Sequence, residues 1–219
     1  SRIEESGYKN FWFMEVQQIY TENKNNFLFS RNAKIKKLRE KILKKLTKDY
    51  LNKKNNESIK NVDLNLINNL DYKYQNVKVL NSIKVNNKDN YELNIVNGFH
   101  EDFHNDKIKI NPINDKDSDI LFNNISFPQD DYIVDLNSLL TNSGYKLLIK
   151  KNQKVLLNIK NTFPDQNFTI FQKNFIKCEE GSDLTIIDNY HNNSSSFHNI
   201  IITIELENNA KFEHLIIQK

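Results

Sequence analysis

Asn152-Gln153-Lys154-Val155-Leu156-Leu157 can be laid under Gly181-Ser182-Asp183-Leu184-Thr185-Ile186, and that in turn over Asn209-Ala210-Lys211-Phe212-Glu213-His214, at offsets of about 29 and 28 residues. In each unit a turn residue is followed by a small or polar one and then by a strand pattern. Recurrence at a fixed spacing, with two or three short strands per unit, argues for stacked coils rather than a sandwich. One coil cannot bury its apolar face alone, so coils stack, and a stack of two or three needs continuation or a cap. Parallel crossovers are strongly biased to the right hand. Residues 145–219 are therefore read as the first coils of a right-handed parallel β-helix, and the whole chain as mainly β with an N-terminal α-helical segment. The strand from Phe212 to Ile217 ends close to Lys219, and more chain is expected to follow it. An open last coil presents an unpaired strand edge, which predicts self-association.

Ahead of the coils lie two further regions. Residues 1–70 are read as a helical N-terminal region and a linker. Within residues 11–50 the positions Ile35, Leu38, Ile42, Leu43, Leu46 and Tyr50 form one apolar stripe at helical spacing, and Ser30 is the expected N-cap. Residues 52–69 are mostly Asn and Lys and read as linker. Residues 71–144 are read as a small α+β region. Val77, Val79, Ile83 and Val85 alternate, Tyr91 to Val96 is a strand pattern, and Asn97-Gly98 is a hairpin-turn signal. Lys107 to Ile110 is the expected return strand, Asp135 to Leu140 a short helix, and Ser143-Gly144 a loop.

Composition removes several classes of function. A single Cys excludes a disulfide framework and any zinc ribbon or iron–sulfur centre held by this chain's thiolates alone. Four glycines do not build a Gly-rich phosphate loop. Lys+Arg of 31 against Asp+Glu of 28 gives a net charge of only +3, short of a dedicated nucleic-acid binder. No apolar run reaches the roughly 18 residues of a membrane span, and Ser1 to Glu5 open no secretory signal. Neither a nucleic-acid nor a membrane partner is expected. About 37 asparagines make chance motifs common.

Against that background, His100-Glu101-Asp102-Phe103-His104 fits the zinc-peptidase pattern H-E-x-x-H, in which two imidazoles one helical turn apart hold the metal and the Glu serves as general base. Its setting after an Asn-Gly turn and before another strand points instead to a polar hairpin tip with two solvated histidines. A zinc-dependent hydrolase built on these three residues remains the rival reading. A second rival is an adaptor that binds nucleic acid or anionic membrane through the basic face Lys34, Lys36, Lys37, Arg39, Lys41, Lys44 and Lys45, which Glu40 and Asp49 interrupt. His191, His198 and His214, with Asp188 and Glu213 close in sequence, could meet from neighbouring coils, and Cys178 sits among apolar residues as a buried thiol would. None of these is assigned as a catalytic, cofactor or metal residue.

Glu179-Glu180-Gly181-Ser182-Asp183-Leu184-Thr185-Ile186-Ile187-Asp188-Asn189-Tyr190 resembles the "EEGSxLTIIExY" segment of the SufB/SufD family. Phe197 to Ile204 resembles its "FxNxxTxI" strand, and Asn208 to Gln218 its "ENAxLEHxxIQ" segment. Tyr91 to Gly98 is similar to the "IVFVDG" hairpin that precedes the family's core. Tyr190-His191-Asn192 lacks the Gly-Cys pair of the SufB branch, so the resemblance is to the SufD branch. The family's "WKYT" motif is missing near Arg31 to Leu46, and the family is much longer than this chain. The resemblance implies a non-enzymatic scaffold subunit in iron–sulfur cluster assembly, paired with SufB-like and SufC-like subunits. The cluster would be handled by the complex, with no cofactor bound by this chain alone. The implied compartment is the bacterial cytoplasm, or a plastid in a eukaryote.

Overall fold

A computed structural model of the chain describes residues 16–48, 82–122, 131–163, 169–191 and 197–218. The linker at 52–69, the alternation at Val77 and Val79, and the first residues of the helical stretch lie outside them.

Helix α1 covers residues 16–23 and α2 spans Ala33–Lys48. The continuous helical pattern expected over 11–50 is broken between them. The Asn23 side chain turns back to donate to the Ile19 carbonyl at 3.0 Å, and Asn26 N–H bonds Asn23 O at 2.8 Å, closing the chain into turns. Phe29 then takes a positive φ of 63°. The cap of α2 is Asn32, not Ser30. Its Oδ1 accepts from the Lys34 and Ile35 amides at 3.0 and 3.2 Å, the arrangement that satisfies amides left open at a helix start.

Among the described residues ten strands form two five-stranded sheets. They are β1 (Ile83–Asn87), β2 (Asn90–Val96), β3 (Phe103–His104), β4 (Ile108–Pro112), β5 (Tyr145–Ile149), β6 (Lys154–Thr162), β7 (Thr169–Cys178), β8 (Asp183–His191), β9 (Phe197–Leu206) and β10 (Lys211–Gln218). One sheet runs β1-β2-β6-β8-β10, the other β3-β4-β5-β7-β9. From β5 onward the chain crosses from one sheet to the other at every strand, and like strands stack in parallel. Lys154 faces Asp183, and Asp183 faces Lys211, so the repeat offsets of 29 and 28 are the register of the ladder itself. The corners superpose as well. Asn152, Gly181 and Asn209 take φ of 58°, 66° and 60°, and Asn152 N–H bonds Glu180 O while Gly181 N–H bonds Asn208 O, each corner resting on the next. Asn and Gly tolerate this left-handed conformation best.

The core lies between the sheets. Tyr91, Leu93 and Ile95 of β2, Val155, Leu157 and Ile159 of β6, and Leu184 and Ile186 of β8 meet Tyr145, Leu147 and Ile149 of β5 and Ile176 and Cys178 of β7. Complete burial of each aliphatic side chain contributes on the order of 1.5–3 kcal/mol. Strand β7 is buried on both faces, because its outer face is covered by helices. Phe171 packs with Leu136, Leu139 and Leu140 of α4 (Tyr132–Leu140) and with Ile42 and Leu46 of α2, and Phe175 contacts the cluster of Phe29, Ile35 and Leu121. Leu121 belongs to the short α3 (Ser118–Phe122).

The expected hairpin is corrected. Asn97-Gly98 does turn the chain, with φ of 49° and 85° and reciprocal bonds between Val96 and Phe99. Yet Lys107 to Ile110 does not return along β2. Both edges of β2 are taken, by β1 antiparallel and by β6 in a seven-residue parallel register. Strand β4 pairs instead with β3 and β5 in the opposite sheet. The helix expected at Asp135 to Leu140 is present and begins earlier, with Asp131 Oδ1 accepting from Ile133 and Val134.

Two glycines give a graded test. A Cβ on Gly144, at φ +154°, would fall on the backbone carbonyl of Lys173, whereas one on Gly181 would meet only the end of the Asn152 side chain. In urea unfolding, Gly181→Ala is expected to cost about 1 kcal/mol from its backbone conformation. Gly144→Ala should cost more than about 3 kcal/mol, because a strand must move. The reverse order would contradict the close approach of Gly144 to β7.

Candidate functional site

Along β8 the inward positions are Leu184, Ile186, Asp188 and Tyr190, so a carboxylate replaces an aliphatic residue on a buried face. Asp188 is 3% exposed. Asn161 of β6 donates Nδ2–H to its Oδ1 at 2.6 Å, the Tyr190 hydroxyl donates to Oδ2 at 3.1 Å, and His214 Nε2 of β10 lies 3.3 Å from the same oxygen. Three adjacent strands of one sheet thus converge on one carboxylate. The Tyr145 hydroxyl, from the opposite sheet, is buried with no hydrogen-bond partner among the described residues. Burial first, and then the Asp188 charge, hold both Tyr145 and Tyr190 well above the ordinary phenol range. The His198 ring lies tilted between Phe163 at 4.3 Å and Tyr190 at 5.5 Å, and burial pushes it down to about 4.

The sequence motifs distribute differently. His100, Glu101 and His104 do not converge. Phe103–His104 is a strand, so the helical turn that H-E-x-x-H chemistry requires is absent. His104 is exposed and bonds Asn111, whereas Glu101 is engaged by the Ser82 amide at 3.1 Å. His100 is not solvated, as a hairpin tip would have it. It is 7% exposed, bonds the Glu101 carbonyl through Nδ1 at 2.8 Å, lies edge-on to Tyr145, and is held below the ordinary imidazole range by burial. Among the described residues no three His, Cys, Asp or Glu side chains form a metal-holding group.

Of the three later histidines, His198 and His214 flank Asp188 and Tyr190, while the His191 side chain lies outside the described residues. Glu213 is exposed on the outer face of β10. Cys178 is fully buried, and burial pushes its thiol up to about 11, the state of an inert core cysteine.

The basic face of α2 is narrower than expected. Lys34, Lys36, Lys37, Lys41 and Lys44 are exposed. Arg39, however, is buried, donates from Nε to Ser138 O at 3.1 Å and covers Phe27, and Lys45 bonds Asp135 at 2.9 Å.

Residue-by-residue reading missed Asn161, Tyr145 and Lys173. Lys173 is 1% exposed on β7, sits over Phe122, and is pushed down to about 7 by burial and then by Arg39. For Asn161 and Asp188 the signal was present, since each is a polar residue on the inward phase of an apolar alternation.

Residues 161–219 match the family model described as SUF system FeS cluster assembly, SufBD core domain. The match begins in β6 and covers β7 to β10. No curated protein and no solved structure matches the chain. No helix among the described residues is long and apolar enough to cross a membrane.

The His198 environment sets a pH dependence. Its native value near 4 lies below the ordinary value of about 6.5. The unfolded chain therefore takes up a proton between these values that the native chain does not. Stability should be fully present above about pH 6.5 and fall as pH drops toward 4, by roughly 2 kcal/mol after allowance for partial exposure. His198→Phe should flatten that part of a urea-midpoint profile, and an unchanged slope would assign the dependence elsewhere.

Proposed function

We propose that this chain is a SufD-like scaffold subunit of iron–sulfur cluster assembly, acting with SufB-like and SufC-like partners rather than turning over a substrate itself. The observation that carries the reading is the placement of the SufBD core match on the stacked coils β7 to β10. The ordered segments from Glu179 to Tyr190, Phe197 to Ile204 and Asn208 to Gln218 support it, and so does the lack of a Cys at Tyr190-His191-Asn192.

On this reading residues 145–219 are the first coils of a right-handed parallel β-helix, 71–144 the small α+β region and 1–70 the helical N-terminal region with its linker. The cluster is cargo of the complex. The compartment is the bacterial cytoplasm or a plastid.

Strands β9 and β10 are the last members of their sheets, and Ile204, Leu206, Leu215 and Ile216 are exposed there. Parallel edges left unpaired among the described residues, with apolar side chains, suit strand-on-strand docking to a partner of the same architecture, and in its absence to a second copy.

The test is a pull-down of the tagged chain mixed with SufB-like and SufC-like subunits from the same source, with sedimentation of the chain alone. Retention of either subunit, and a chain that sediments as larger than a monomer by itself, are expected. A folded chain that retains neither subunit would overturn the partner assignment, and a monodisperse monomer would overturn docking through the open edges.

A further inference from the structure

Helix α2 has two unlike sides. Ile35, Ile42 and Leu46 are buried in the cover, Arg39 Nε donates to Ser138 O at 3.1 Å, and Lys45 bonds Asp135 at 2.9 Å, so the helix is fixed against α4. At about 3.6 residues per turn, Lys34, Lys37 and Lys41 fall together on the side away from that packing, and all three are exposed. Among the described residues none of the three enters an ion pair. Leu38, 36% exposed, lies among them, one turn from Lys34 and one turn from Lys41. Glu40 is the one acidic residue of α2 and sits on the flank of the row, one turn from Lys36.

The chemistry of this row selects among anionic partners. From Lys34 to Lys41 it spans about 10 Å at the helical rise, the length of two turns of a facing helix. A helix that lies on a membrane needs a free apolar face to bury in the lipid. The apolar side of α2 is already packed in the cluster with Phe171, Leu136 and Leu139. A nucleic-acid surface joins its phosphate-binding cations to aromatic platforms or base-reading side chains. Ala33–Lys48 contains no aromatic residue, and a leucine set among the lysines gains nothing from phosphate. Charged groups around a small apolar contact are instead the anatomy of a protein interface, with its polar rim and apolar centre.

We propose that this face of α2 is a docking surface for an acidic helical segment of another protein. Lys34, Lys37 and Lys41 meet its carboxylates, and Leu38 meets one apolar side chain between them. Carboxylates three and four residues apart on a helix match the spacing of the lysines. Opposite charge steers the encounter and fixes the register, while the small apolar contact limits the lifetime, so the complex is transient and weakened by salt. Because the opposite side of α2 is held by the cover, the lysines are presented on a fixed helix and lose little freedom on docking. The proposal rests on α2 and its packing and does not depend on the assembly reading.

The test uses the purified full chain and a fluorescein-labelled synthetic helical peptide that carries Glu residues one turn apart around a single Leu, read by fluorescence anisotropy. The parent is expected to bind this peptide, and to bind it less as salt is raised. Lys34→Glu, Lys37→Glu and Lys41→Glu combined should weaken binding at least tenfold with the circular dichroism unchanged. Leu38→Ser should weaken it severalfold. Lys84→Glu, on the exposed side of β1, should bind as the parent does. Should the triple variant unfold, the milder pair Lys37→Gln with Lys41→Gln carries the comparison, with a loss of about threefold expected. No binding by the folded parent would overturn the surface, as would equal binding by the parent and the α2 charge variants, an equal loss in Lys84→Glu, or equal binding of a peptide with Gln in place of Glu. Tighter binding of an oligothymidine or of phosphatidylserine vesicles than of the peptide would overturn the acidic-protein assignment in favour of nucleic acid or membrane.

Discussion

Everything in this structure depends on the backbone register that returns the chain to itself after 28 or 29 residues. Lys154, Asp183 and Lys211 lie side by side on successive strands, and the left-handed corners at Asn152, Gly181 and Asn209 stack with them. Once those corners are aligned, every inward position of β6, β8 and β10 meets its equivalent. A slip of one residue would turn the apolar set Val155, Leu157, Ile159 outward. The outer face reinforces the register with opposite charges on neighbouring coils, as in Lys151 with Glu180 and Lys177 with Glu205 and Glu207. Such exposed pairs are screened by solvent and contribute alignment more than stability.

The second dependence is the cover over β7. A parallel strand in the middle of a sheet is stable when both of its faces are dry. The inner face achieves this against β6 and β8, the outer face through α2, α3 and α4. The cover is joined to the sheet by a polar pin as well as by Phe171. Asn137 of α4 donates to the carbonyls of Gln172 and Asn199, and Asn199 donates back to Ile133 O at 2.8 Å. Arg39 of α2 reaches Ser138 O in the same layer. A helix that looks from its lysines like a free basic surface is thereby a structural element on one side and a solvated face on the other.

Within the coils, polarity concentrates toward the C-terminal ends of β6 and β8. Leu157 and Ile186 give way to Asn161, Asp188, Tyr190 and His214. A buried polar network of this kind lowers the apolar area of the last coils and gives them a defined side-chain arrangement, since each hydrogen bond has one geometry. Among the described residues β9 and β10 each pair along one edge only, and the network reaches from β6 across β8 to β10. The SufBD core match falls on the same strands, which places the family likeness and the least enclosed part of the core together.

The sequence by itself determined the coil period, the corner residues, the Asn97-Gly98 turn and the Asp135 to Leu140 part of α4, because each is set by local chemistry such as apolar periodicity and positive-φ tolerance, whereas the start of α4 at its Asp131 cap came from the structure. Three ordered segments between Glu179 and Gln218 likewise carried the family likeness without any structure. The pairing partner of β2, the burial of His100 and Lys173, and the removal of Arg39 and Lys45 from the basic face were decided only by the tertiary structure. These depend on which strand edges are already occupied and which surface a helix covers, and residues tens of positions apart set both. The convergence of Asp188 with Asn161 and His214 belongs to the same class, since three side chains spread over 54 positions become neighbours only when the coils stack.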